Sequence, residues 1–84
     1  MTIKEIKKKY NPKTKRRERY LDDREFHSLQ EIKYYCMYKT PYNETLDDIL
    51  CKFMIVDTKE EIDISIRYFR DEDGDKCMQL QYWF

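Results

Sequence analysis

Three cysteines and one histidine are the side chains with which this chain could bind a transition metal or supply a nucleophile. Cys36, Cys51 and Cys77 are widely separated, and none of them lies two to four residues from another, the spacing typical of structural zinc sites. His27 has no serine or cysteine near it in a recognised catalytic frame. The sequence therefore predicts free thiols, no metal centre, no cofactor and no catalytic residue, which indicates a protein that is not an enzyme.

An acidic run near the C-terminal end resembles a calcium-binding loop in its alternation. Asp71, Asp73 and Asp75 stand at every second position. A calcium loop of the EF-hand type also needs a glycine at its sixth position and a glutamate at its twelfth. Here Gly74 is fourth and Tyr82 is twelfth. A tight turn explains this run better than a metal site does.

Charge is distributed unevenly along the chain. Residues 1–20 hold nine basic and two acidic residues, a net +7, whereas residues 21–84 hold eight basic and fifteen acidic residues, a net −7. Basic blocks contact phosphates, and Tyr10 and Tyr20 at the edges of this block could stack on bases. A solubilising tail is the alternative interpretation. The predicted nucleic-acid-binding residues are Lys7, Lys8, Lys9, Lys13, Lys15, Arg16, Arg17 and Arg19.

The leading functional hypothesis follows from this segment. We expect a small binding or regulatory protein whose partner is nucleic acid or a nucleoprotein. The alternative is an inhibitor or adaptor that binds a protein target through an acidic hairpin tip and exposed aromatics. The residues predicted for that surface are Phe69, Asp71, Glu72, Asp73, Asp75 and Trp83.

Composition also limits the compartment and hints at the origin. No apolar run is long enough to span a membrane, and residues 1–9 lack the pattern of a secretory signal. These features predict an intracellular, cytoplasmic protein. The chain has no alanine and one glycine but eight tyrosines, a usage that favours AT-rich codons. A virus or another mobile element would fit that composition, as would many ordinary cells.

The clearest element is a C-terminal β-hairpin. Apolar residues alternate with polar ones over 62–69 and again over 77–84, which is typical of half-buried strands. A three-residue loop of residues 72–74 would place Gly74 at the left-handed bulge position. This register sets Ile66 opposite Leu80, Tyr68 opposite Met78, Ile64 opposite Tyr82 and Ile62 opposite Phe84, with all eight on one face. Phe69 and Trp83 then lie near each other on the outer face.

The remaining elements are predicted to be helical. Residues 45–54 have helical spacing, and Thr45 with Asp48 forms a variant capping box, although residues 53–56 could instead form a strand. Residues 22–39 favour a helix capped by Asp22 or Asp23, with a third strand as the alternative. Residues 2–10 read as a short helix, and residues 13–19 as solvated chain that orders on binding.

The predicted fold class is thus α+β. Two or three short helices pack on the hairpin, with extension to a three-stranded sheet left open. Residues 1–84 are predicted to form one small domain with a basic, flexible N-terminal segment, residues 1–20.

Overall fold

The computed structural model describes residues 1–44 and 49–84. In chain order its elements are β1 (Ile3–Asn11), β2 (Arg16–Leu21), α1 (Leu29–Lys39), β3 (Ile49–Ile55), β4 (Glu61–Arg70) and β5 (Lys76–Trp83). The strands form a five-stranded antiparallel sheet in the order β2-β1-β3-β4-β5. The fold is therefore mostly β with one helix, and the predicted set of two or three helices on a hairpin is wrong.

The helix covers one face of the sheet, which we call the inner face. Ile32 and Cys36 of α1 are fully buried against inner-face residues such as Phe53 and Ile64. Phe26, just before the helix, packs edge-on against Phe53 with ring centroids 5.8 Å apart. The opposite, outer face carries no helix in the part of the chain described, and its side chains are mostly polar or exposed. An antiparallel sheet tolerates such an arrangement, since only one of its faces needs an apolar cover.

The C-terminal hairpin has the predicted register. Ile66 lies opposite Leu80, Tyr68 opposite Met78 and Ile64 opposite Tyr82. Gly74 has φ +80°, and its N–H donates to the carbonyl of Asp71 at 3.0 Å, as the predicted turn requires. The pairing of Ile62 with Phe84 is wrong, because β5 ends at Trp83 and Phe84 is 78% exposed.

The helix predicted for residues 45–54 is wrong over its described part. β3 occupies Ile49–Ile55, and Cys51 and Phe53 alternate with exposed Leu50 and Lys52. The apolar residues that matched a helical spacing, such as Leu50, are not all on one face. The strand considered for residues 53–56 was the better interpretation, and the capping box of Thr45 with Asp48 lies outside the described residues.

The helix predicted within residues 22–39 exists but begins later. Ser28 caps it, accepting a hydrogen bond from the backbone N–H of Glu31 at 3.2 Å. Asp22 and Asp23 precede a segment in which Phe26 forms a β-bridge with Ile3, so neither can cap the helix. The helix ends at Lys39, one residue before the Thr40-Pro41 pair that disfavours helical backbone.

The N-terminal predictions are also wrong. Of the helix predicted for residues 2–10, residues 3–10 lie instead in β1, and residues 16–19, expected to be disordered, lie in β2. Ile3 and Glu5 point to the inner face, where both are buried. The buried carboxylate of Glu5 interrupts the apolar alternation that marks a strand, and for this reason the spacing of apolar residues in this segment resembled that of a helix.

Candidate nucleic-acid interface

The basic segment forms a two-stranded antiparallel ribbon. β1 pairs with β3 only through residues 3–5, whereas its residues 6–11 pair with β2 alone. The ribbon, defined here as residues 6–21, therefore extends beyond the rest of the sheet. The radius of gyration of 14.9 Å exceeds the roughly 12 Å expected of a compact domain of this length. The extents of 50 × 32 × 19 Å agree with a projecting element.

A polar network closes the ribbon's turn. The side-chain oxygen of Asn11 accepts from the backbone N–H of Lys13 at 2.9 Å, which is an Asx-turn. Glu18 accepts from the Thr14 hydroxyl at 2.8 Å and from the Asn11 amide at 3.2 Å, and these two hydrogen bonds hold the pKa of Glu18 below its ordinary value. Lys15 takes a left-handed conformation, with φ +55°. The turn is thus ordered by local hydrogen bonds, without any apolar core.

The ribbon also curls over the outer face of the sheet. Arg19 of β2 makes an ion pair with Glu61 at the start of β4. Two strands lie between β2 and β4, so in a flat sheet these strands would be about 14 Å apart, a gap wider than the two side chains bridge. Glu61 belongs to the outer face because its neighbour Ile62 is buried on the inner one. The contact fixes the direction in which the ribbon bends.

The structure separates the eight predicted nucleic-acid contacts into two groups. Lys7 lies 3.5 Å from a carboxylate oxygen of Asp22 and 4.0 Å from one of Glu5, and Arg19 pairs with Glu61. Within residues 1–44 and 49–84 the other six make no ion pair, and all six are exposed. We call these the free cations: Lys8, Lys9, Lys13, Lys15, Arg16 and Arg17.

The two faces of the ribbon carry different groups. Lys8 lies opposite Arg19, and Tyr10 lies opposite Arg17, so these four share the face continuous with the outer face of the sheet. Tyr10 is 58% exposed. On the other face, Lys9 lies opposite Glu18, which offsets its charge in part. The first face therefore offers two free cations, Lys8 and Arg17, together with an aromatic ring, whereas Arg16 lies on the other face, opposite Asn11.

A shallow cleft of about 320 Å³ wraps around the base of the turn. Its walls come from both strands of the ribbon and include Tyr10, Tyr20, Pro12, Lys9 and Arg19. Aromatic rings beside cations are the combination that binds unstacked bases and their phosphates. The sequence identified both tyrosines, but it did not show that they flank one cleft.

The chain matches no family model, no curated protein and no solved structure. Its functional assignment therefore depends on its own residues and geometry.

The residues predicted to bind a protein target do not form one continuous surface in the structure. Phe69 and Trp83 share the outer face, but they lie opposite Cys77 and Asp63 respectively. On β4, Phe69 and the partner of Trp83, Asp63, are six residues apart, which is about 20 Å along the strand, so the expectation that the two rings are neighbours is wrong. Both rings are partly exposed, at 37% and 48%.

The acidic tip of the same hairpin is organised as a turn. One carboxylate oxygen of Asp71 accepts from the backbone N–H groups of Asp73 and Asp75, each at 2.9 Å. Ligand atoms of Asp71, Asp73 and Asp75 lie within 4.8 Å of one another, and all three residues are exposed. Since the Asp71 carboxylate already caps the turn, the proximity of these three residues follows from the turn itself. Glu72 is exposed beside them.

The cysteines and the histidine do not assemble into one site within the described residues. Cys36 on α1 and Cys51 on β3 are buried neighbours, while Cys77 lies near Asp75 at the hairpin tip. A hydrogen bond from the Cys36 thiol lowers the pKa of Cys51 to about 7, and it raises the pKa of Cys36. His27 sits beside the carbonyl of Met1, with Nδ1 3.4 Å from the oxygen. This pair of thiols packs in the core, away from the ribbon.

None of the helical segments in the two described ranges is both long and apolar enough to cross a bilayer.

Proposed function

We propose that this protein binds nucleic acid through its projecting basic ribbon and is not an enzyme. The observation that carries the proposal is the set of six exposed free cations on a two-stranded β-ribbon that extends beyond the sheet. Lysine and arginine side chains at a surface neutralise phosphates and release condensed counterions, which supplies most of the affinity in non-specific binding. A nucleoprotein offers the same phosphates and is included in this proposal.

The shape of the ribbon favours duplex DNA over other nucleic acids. The major groove of B-DNA is wide enough to admit a two-stranded β-ribbon, whereas that of an RNA duplex is too narrow for side chains to read. Tyr10 is the ribbon's one strongly exposed ring on the face of Lys8 and Arg17. Because the free cations are mostly phosphate-binding groups, we expect little sequence preference.

The decisive experiment is a binding titration with matched variants. Fluorescent single- and double-stranded oligonucleotides are titrated with the protein at several salt concentrations. With six phosphates neutralised, log affinity falls with log salt at a slope of about −5. The test variant combines Lys13→Ser, Lys15→Asn and Arg17→Ser, where Asn is chosen because it tolerates the left-handed backbone at position 15.

The chain offers a control with the same three kinds of change away from the ribbon. It combines Lys33→Ser on α1, Lys59→Asn at another left-handed position (φ +62°) and Arg67→Ser on β4. Both variants lose three positive charges, so net charge alone cannot distinguish them. We expect the ribbon variant to flatten the salt slope by about 2.5 and the control to leave the slope unchanged. No binding at low salt, or equal effects of the two variants, would contradict the proposal.

A further inference from the structure

The two edge strands of the sheet differ in how they are protected from further pairing. β2, at one edge, carries four charged residues among its six: Arg16, Arg17, Glu18 and Arg19. β5, at the other edge, has a single charge, Lys76, among eight residues. Charged side chains are one of the means by which proteins keep an exposed edge from pairing with another chain. β5 lacks that protection.

The backbone of β5 is in phase for pairing at this edge. The N–H of Asp71 donates to the carbonyl of Asp75 at 3.0 Å, which sets the alternation of the ladder between β4 and β5. Residues 77, 79 and 81 then direct their N–H and C=O groups toward β4. By the same alternation Met78, Leu80 and Tyr82 direct theirs away from the sheet, to the open edge.

The side chains of those three residues form the edge of the apolar core on the inner face of the sheet. Met78, Leu80 and Tyr82 pack against the core cluster, but each is only half-buried. Polar contacts join α1 to the three inner strands of the sheet. Tyr35 of the helix contacts Glu5 on β1, and Cys36 contacts Cys51 on β3. The carbonyl of Thr40, the cap that follows the helix, accepts a hydrogen bond from Tyr68 on β4. A strand added beside β5 would cover these three side chains and satisfy their backbone groups at once.

We propose that β5 pairs antiparallel with β5 of a second copy of this chain, with Leu80 on the two-fold axis, to form a continuous ten-stranded sheet. In an antiparallel pair, opposite residues share a face, so the position numbers of partners must both be even or both be odd. Pairing centred on Leu80 sets Leu80 against Leu80, Met78 against Tyr82 and Gln79 against Gln81. Apolar residues then meet apolar residues on the inner face, and amides meet amides on the outer face.

The sequence of β5 favours this register and favours pairing with a second copy of the same strand. Centring on Met78 would bring Asp75 of the acidic tip into the ladder opposite Gln81, and centring on Tyr82 would leave Lys76 to Gln79 unpaired. Centring on Gln79 would set Asp75 opposite Trp83, and centring on Gln81 would leave Lys76 and Cys77 unpaired. The Leu80 centre is the one that pairs residues 77–83 with one another and keeps the acidic tip out of the ladder. The strand is thus complementary to itself, which is what a two-fold interface requires.

Sedimentation equilibrium with charge variants tests this pairing. The wild-type protein is expected at twice the mass of one chain. Gln79→Lys combined with Gln81→Lys puts lysine opposite lysine twice across the axis, as Gln79→Glu combined with Gln81→Glu does with glutamate. Each should weaken self-association on the order of tenfold or more, and mixing the two should restore a dimer. Both glutamines are exposed, so neither variant disturbs the core.

A control variant and a hydrogen-exchange measurement test whether the dimer forms through β5. Leu50→Lys adds a charge to the outer face of β3, at a side chain that is 54% exposed and away from the edge, and it should leave the dimer intact. In the wild-type protein, hydrogen exchange at the amides of 78, 80 and 82 should slow as concentration rises, while the amides of 77, 79 and 81 stay protected throughout. A wild-type monomer, a dimer insensitive to either charge pair, a mixture that remains monomeric, or unprotected amides at 78, 80 and 82 would each overturn the proposal.

Discussion

The ammonium group of Lys39, in the last turn of α1, lies 2.7 Å from a carboxylate oxygen of Glu5 on β1. The other oxygen of Glu5 accepts a hydrogen bond from the Tyr35 hydroxyl, also at 2.7 Å. The Glu5 side chain is only 5% exposed, whereas that of Lys39 is 44% exposed. A carboxylate this deeply buried requires such partners, and through them it joins the helix to the strand that continues into the ribbon.

Removing the cation should therefore destabilise the fold. Lys39→Met leaves the Glu5 carboxylate with the hydrogen bond from Tyr35 and with Lys7 at 4.0 Å as its nearest cation, and we expect a loss of about 1–2 kcal/mol in the free energy of unfolding. The value lies below that for a fully buried pair because Lys39 remains partly solvated. Lys33→Met, an exposed position on the same helix, is the matched control and should change stability by less than about 0.5 kcal/mol. Equal effects of the two in urea denaturation would show that the ion pair contributes nothing.

Tyr35 makes stability depend on alkaline pH. Burial, and secondarily the hydrogen bond to Glu5, raises the pKa of Tyr35 from 10.0 to about 12. The unfolded chain ionises at the lower value, so the stabilising contribution is complete below pH 10 and is lost as pH rises toward about 12. Tyr35→Phe should flatten this part of the stability curve, measured as unfolding free energy at a series of pH values. The difference between the two curves isolates Tyr35 from the other tyrosines, and parallel curves would refute its role.

Gly74 tests the turn without disturbing the packing around it. Its φ is +80°, and a Cβ added there meets no atom within 4 Å. Any loss of stability on substitution therefore measures backbone strain alone. Gly74→Val should cost about 1–2 kcal/mol, since β-branched residues avoid this region, and Gly74→Asn should cost clearly less. Indistinguishable melting temperatures for the two variants would show that the turn relaxes into another conformation.

How far the sequence predicted the fold depends on which faces are buried. The C-terminal hairpin has one apolar and one polar face, so alternation and turn residues both fixed its register. The ribbon has two solvated faces, and consecutive lysines such as Lys7, Lys8 and Lys9 carry no alternation to detect. A strand with two solvated faces can be recognised in a sequence only from the strand it pairs with and the turn that joins them.

The errors elsewhere have a related cause. β3 alternates through Ile49, Cys51, Phe53 and Ile55, but exposed Leu50 and half-buried Met54 obscure the pattern and imitate a helix. Residues 22–27 contain two good helix caps, yet the backbone pairing of Phe26 with Ile3 prevents their use. Contacts distant in sequence decided both cases, and local propensity has no access to them.

The sequence predicted which residues form the candidate interface, but not how they are arranged in space. The eight cations were identified from charge alone. That two of them are engaged could not be foreseen, because Asp22 and Glu61 become their partners only when the ribbon pairs and bends.

That distinction between engaged and free cations supplies the last prediction. Arg17 and Arg19 lie two residues apart on the same face of the ribbon, but only Arg19 is held by Glu61. Arg17→Ser should flatten the salt dependence of nucleic-acid binding by about one unit, and Arg19→Ser by less. Glu61→Gln should do the reverse, steepening the slope because it releases Arg19 to the phosphates. Both arginine variants should remain within about 1 kcal/mol of wild-type stability, as the pair is half exposed. Equal slopes for the two arginine variants, with no response to Glu61→Gln, would mean that nucleic acid contacts a different surface.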